Sequence, residues 1–176
     1  INPTSDNAQE SIYAVIDTSR AGTYTKSNLK GIDSDSADTS KHFDVNNPGG
    51  YHGWYKDFLV NGIKVLGDPI VAFDILYFTT YTPGKDLCDQ QGLNHLYALG
   101  YTSGAGQFED DGEGNKSCIS LDSGPPSTVQ LSIDDETGRA DLFVGKKRYD
   151  LAKPQTGGRS NLLYWRDNRV GGKPEP

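Results

Sequence analysis

Methionine is absent from this chain, cysteine occurs only twice, and basic residues are outnumbered, with 17 Lys and Arg against 24 Asp and Glu. The resulting net charge of -7 and pI near 4.8 repel a phosphate backbone. The longest basic run, Lys146, Lys147 and Arg148, is explained at least as well by a solvated strand edge, so nucleic acid is not expected as a partner. No apolar run approaches the ~20 residues of a membrane-spanning helix, and nothing has the form of a signal peptide. Because the chain opens on Ile1 without an initiator Met, it is expected to be a processed product or an excised fragment, and the missing leader does not argue for the cytoplasm. Hydrophobic residues make up only 34% of 176 residues and the mean hydropathy is -0.63, which suits one domain with an economical core.

What the chain has instead is glycine, at 21 residues, and tyrosine, at 10. Many turns together with aromatic and β-branched runs favour an all-β class. Cys88 and Cys118 both sit in polar, loop-like sequence, whereas a buried free thiol more often lies in an apolar run. A disulfide between them is expected, which requires an oxidising compartment; the alternative is two exposed free thiols.

SIYAVID alternates well enough for a strand, with Ile12, Ala14 and Ile16 on one face and Tyr13 and Val15 on the other, which implies burial of both faces. Residues 18–50 then turn polar and read as a long loop insertion, with a short strand or helical turn in GTYTKSNLKGI and a surface loop in DSDSADTSKHFD. Asn61 and Gly62 lie between GWYKDFLV and IKVLGD, the pair a type I′ hairpin turn favours. Two apolar strands with a tight reversal near Asp74 follow, then the strand HLYALGY. Cys118 opens a short edge strand, STVQLSI and ADLFVGK form another hairpin, and KRYDLAK and LLYWRDN complete the chain before a flexible tail at 170–176.

Internal similarity turns this series of strands into an architecture. SIYAV matches HLYAL, with RYDL as a weaker third copy; ILYFT matches DLFVG; WYKD matches YWRD. Taken in order these predict the end of one blade and two further blades of a β-propeller, each burying both faces against its neighbours. An antiparallel sandwich with chance similarity is the alternative. Two or three blades cannot close a ring, so the outer blade faces should be large apolar surfaces needing cover.

The ordered set GWYKDF, DPIVAFDILYFTTYTPGKDLC, HLYAL and LLYWRD resembles the C-terminal propeller of the PilY family of type IV pilus proteins. The match runs over nearly the whole chain, residues 11–167. Phe58 stands where Leu is usual in that family, Leu87 separates Asp86 from Cys88, and Asp167 replaces the usual Glu. The family's calcium loop is not evident, so calcium is expected only in a part of the propeller outside this chain. The resemblance implies that residues 1–176 are the C-terminal portion of a modified, quinoprotein-like β-propeller. Such a protein is exported through the periplasm to the cell surface, and acts without enzymatic activity in pilus assembly and in adhesion at the pilus tip. The partners implied are the remaining blades or a separate chain completing them, minor pilins, and a host or abiotic surface. A fragment of a quinoprotein-like dehydrogenase, or a structural subunit completing a partner's propeller, are the competing readings.

Two acidic stretches invite a calcium reading. Asp33, Asp35 and Asp38 space like part of an EF-hand loop, but Asp38 takes the place where Gly makes the turn; Asp111, Glu113 and Asn115 offer alternating oxygens, again without that Gly. Solvated acidic loops are the better reading of both. His42, His52 and His95 share no metal-ligand spacing. No nucleophile elbow or phosphate loop is present, and no set of residues demands catalysis. Trp54, Tyr55, Tyr164 and Trp165 are read as blade packing before a sugar platform.

Overall fold

The structure is a computed structural model, and it describes residues 9–16, 23–58, 60, 62–84, 92–109, 115–121, 127–133 and 140–149. Within them, alternating apolar segments form three stacked sheets. In the first, β1 (Ser11–Val15), β2 (Lys30–Gly31) and β3 (Gly53–Asp57) lie in the order β1-β3-β2, with β1 antiparallel and β2 parallel to β3. In the second, β4 (Lys64–Ala72), β5 (Ile75–Thr82) and β6 (Leu93–Gly100) form a meander; a small hairpin of β7 (Phe108–Glu109) and β8 (Asn115–Lys116) intervenes, and β9 (Cys118–Ser120) pairs with β6. In the third, β10 (Val129–Ile133), β11 (Ala140–Val144) and β12 (Lys147–Tyr149) form another meander.

The second sheet is buried on both faces because β5 and β6 carry apolar side chains on both. Ile75, Tyr77, Leu96 and Ala98 pack with Val129, Leu142 and Val144 of the third sheet. Phe78, Tyr97 and Leu99 pack with Trp54, Phe58 and Phe43 from the first sheet and its insertion. On that side Phe78 and Tyr97 stack with ring planes 5° apart, and Phe58 meets both edge-on. Each such side chain removed from water contributes about 1.5–3 kcal/mol.

The internal repeat holds in three dimensions, in backbone phase between the first two sheets and in side-chain facing across all three. Phe58 N donates to Glu10 O and Ile16 N to His52 O, so even-numbered residues of β1 bond onto β3. Likewise Ala98 N donates to Ser117 O and Leu121 N to Asn94 O, so Leu96 and Ala98 bond onto β9. Ile12 and Ala14, their counterparts in SIYAV, thus bond the same way and face the next sheet in the chain, as Leu96 and Ala98 do. Leu142 and Val144 of DLFVG face the preceding sheet, as Leu76 and Phe78 of ILYFT do. Tyr149 packs toward the second sheet, matching Tyr97, which packs toward the first.

The all-β class therefore holds, while the described residues make three stacked sheets and not a closed propeller. Several local expectations are corrected. GWYKD and IKVLGD do not pair: β3 belongs to the first sheet and β4 to the second. Phe58 and Ile63 are both buried in the cluster that holds Phe78, so the chain passes from the first sheet to the second between these two anchors, with Val60 exposed. A left-handed pair of the type I′ kind closes the β4–β5 reversal, where Phe73 and Asp74 have φ of 52° and 63° between the paired Ala72 and Ile75. Left-handed backbone at a non-Gly residue costs about 1–2 kcal/mol; packing of Phe73 on the core and the bond from Tyr101 N to Asp74 O offset it.

Strand β1 is buried on one face only, since Tyr13 and Val15 are each 50% exposed. Short 3-10 turns at Lys26–Asn28 and Thr39–Lys41 occupy the insertion, whose second half runs over the surface as expected, most of its residues exposed, but is anchored as a strut by the buried Ser34, His42 and Phe43. It is fixed to the turn after β6 by Phe43 N to Ser103 O and by Gly106 N to Ser34 O. The outer faces are mixed and not broadly apolar. Asp141 pairs with Arg148 on the third sheet, and Asp57 accepts from Ser11 and Lys26 on the first. The hairpin of β10 and β11, the strand at KRY and the edge position of β9 agree with the sequence. LLYWRDN and residues 170–176 lie outside the described residues.

Candidate functional site

A cleft of about 540 Å³ opens between the first sheet and the β6–β9 side of the second. It gathers Asp33 and Asp35 from the insertion, Lys56 from β3, Tyr97 from β6, and Ser117 and Cys118 at the start of β9. Strand alternation places them: Trp54, Lys56 and Phe58 point between the sheets, where Tyr97 and Cys118, paired in register, point back.

Asp35 is the pivot. Its Oδ1 accepts from Ser117 N at 2.6 Å and its Oδ2 from Ser117 Oγ at 3.0 Å, with Lys56 Nζ 3.8 Å away. Asp33 Oδ1 accepts from Asp35 N. Asp38 caps the 3-10 turn through Ser40 N, and hydrogen bonds from Ser40 hold its carboxyl below the usual value. The three carboxylates thus have separate partners and do not converge. Among the described residues no group of three His, Cys, Asp or Glu side chains is placed to hold a metal ion. Asp111 and Glu113 lie outside the described residues, and Asn115 is placed only as a backbone position in β8 opposite Glu109.

Cys118 carries a free thiol; Cys88, its expected disulfide partner, lies outside the described residues. Burial pushes the thiol's pKa up, against a hydrogen bond with Tyr97 that lowers it. Burial likewise raises the Tyr97 hydroxyl, helped by Cys118. The pair is a packed polar contact with little thiolate character, and such a thiol is a poor nucleophile.

The histidines are dispersed. His42 is buried with Nε2 unpaired, His52 stacks on Tyr24 at 4.6 Å, and His95 lies edge-on to Tyr97, its pKa lowered by burial. Trp54 is 1% exposed and donates from Nε1 to Tyr101 O, so it is packing and no platform. Tyr55 lies on the outer face beside Tyr13, ring centroids 6.2 Å apart, under Lys26. Tyr164 and Trp165 lie outside the described residues. Lys56 and Ser117 had no local signal in the sequence, because they meet Asp35 only through the stacking of two sheets.

Fold and cleft together define an all-β protein of stacked, repeated and mostly antiparallel sheets. Over 87 residues the chain is 37% identical to a type IV pilus biogenesis factor, the PilY1 homologue of Xylella fastidiosa, a stretch that covers 44% of this chain and 6% of that protein. The resemblance to the PilY family carried by the motifs is thus borne out over that stretch, and the chain spans a small fraction of the length of the relative. No protein-family model matches the chain, and no solved structure matches it. No helix among the described residues is long and apolar enough to cross a membrane.

Proposed function

We propose that this chain forms C-terminal blades of a β-propeller in a type IV pilus-associated protein. It serves pilus assembly and surface adhesion as a non-enzymatic binding platform, exported through the periplasm to the cell surface. The observation that carries the reading is the likeness to the pilus biogenesis factor of X. fastidiosa. The stacking of three sheets whose matched strands turn equivalent side chains the same way supports the propeller part, since blades repeat in this way. Minor pilins at the pilus tip and the surface to which the pilus attaches are the partners of this reading.

The test is an in-frame deletion of the encoding gene in its native host, with surface pili counted by electron microscopy and attachment measured on glass and on cells. Fewer pili and weaker attachment, both restored by complementation, are expected. Unchanged piliation and adhesion would overturn the reading, as would bound quinone absorbance or dye-linked alcohol oxidation by the intact protein.

A further inference from the structure

We infer that the edge of β1 turned away from β3 is a docking site for one more β-strand, antiparallel to it and built like β5. The inference rests on the repeat within the proposed function and not on the pilus role. In β1 the backbone groups of Ser11, Tyr13 and Val15 point away from β3, because the even-numbered residues make the β3 ladder. No strand of the described residues pairs with that edge. Its sequence, SIYAV, has no charge, no Pro and no bulge, the devices that normally blunt an open edge.

The other edges are blunted. Strand β4 bulges between Leu66 and Ile70, where Gly67, Asp68 and Pro69 are exposed. Strand β12 is short and carries Lys147 and Arg148, and β2 and β9 are only two and three residues long. Strand β10 places the polar Gln130 and Ser132 on the outer face, both exposed.

The occupant is specified by the second sheet. His95, Tyr97 and Leu99, the counterparts of Ser11, Tyr13 and Val15, are paired with Thr80, Phe78 and Leu76 of β5. Phe78 stacks on Tyr97 with centroids 4.9 Å apart. A strand seated on β1 in the same register places an aromatic residue on Tyr13 and an aliphatic one beside Val15. Those two side chains are the half-exposed apolar groups of this face.

The experiment adds to the 176-residue chain a synthetic peptide copying residues 75–81, flanked by lysines for solubility, and reads amide hydrogen exchange residue by residue. Slowing by about tenfold or more at Ser11, Tyr13 and Val15 is expected, and a peptide with the Phe78 equivalent changed to Ala should bind more weakly. Tyr13→Pro removes an outward N–H without losing a bond to β3 and should abolish the protection; a peptide N-methylated on its β1-facing amides acts in the same sense should the variant not fold. Protection at another edge, no protection at any edge, or protection that grows with protein concentration in the absence of peptide would each overturn the inference, the last in favour of a second copy. None of these outcomes alters piliation or adhesion, so this inference and the pilus reading fail separately.

Discussion

Asp35 and Ser117, eighty-two residues apart, are joined by two hydrogen bonds, from the backbone N and from Oγ of Ser117 to the two oxygens of one carboxylate. Ser117 is 2% exposed with the carboxylate in place, so removing the carboxylate leaves its N–H without a protein partner. Leaving a buried donor unpaired costs about 1–3 kcal/mol. Asp35→Ala should therefore lower stability by that amount in urea titration, and Asp35→Asn, which keeps one acceptor, by less. Equal stability of all three proteins would show that the pin is not needed.

Phe78 lies at the centre of the aromatic trio with Tyr97 and Phe58 and is fully buried. Truncating a Phe in such a core costs about 3–5 kcal/mol. Phe78→Ala is expected to lose that much, and Phe78→Leu under about 1.5 kcal/mol, as read from chemical denaturation midpoints.

Gly53 sits where β1 meets β3, at φ 141°, and an added Cβ would lie 2.0 Å from Ala14 O. The obstacle is backbone on a paired strand, so it cannot swing aside. Gly53→Ala should cost more than about 3 kcal/mol, whereas Gly62→Ala, with nothing within 4 Å of its Cβ, should cost only the strain of its φ of 81°. Thermal melts of the two variants should separate clearly.

Two groups give the stability a pH profile. Burial holds the His95 imidazole below its ordinary value of 6.5. As the pH falls through 6.5 the unfolded chain binds the proton first, so stability declines below 6.5 and levels off beneath the lowered folded value. His95→Gln should flatten that limb. At Asp57 burial opposes ionisation, but hydrogen bonds from Lys26 and Ser11 outweigh it and hold the carboxyl below its ordinary 3.8. Its contribution is present above 3.8 and is lost as the pH falls through the folded value. Asp57→Asn should shrink that acid limb, leaving the part that the lowered Asp38 carboxyl contributes, measured by denaturation between pH 2 and pH 8.

The repeat was legible because the matched segments are strands whose side chains keep the same alternation in every copy. SIYAV and HLYAL, and ILYFT and DLFVG, occupy equivalent places in successive sheets. The position of the reversal near Asp74 was legible too. Its left-handed pair was not, since Phe and Asp carry no turn signature of the strength of Asn-Gly. Asn61 and Gly62 do carry it, yet the strands on either side of them, β3 and β4, belong to different sheets, because Phe58 and Ile63 anchor in the core between those sheets. Burial of Ser34, His42 and Phe43 was hidden by the polar run around them. The cleft was half visible: Asp33, Asp35 and Cys118 stood out as residue types, whereas Lys56 and Ser117 reach it only through long-range stacking.

The strut from 33 to 43 is fastened largely by main-chain groups: Asp33 N to Lys41 O, Gly106 N to Ser34 O, and Phe43 N to Ser103 O. Main-chain fastening is indifferent to most side chains. Relatives can therefore diverge along its exposed positions, with Ser34, Asp35, His42 and Phe43 held by burial or bonding, and keep its path; in an alignment it will look like a tolerant insertion while it stays bonded to the turn after β6.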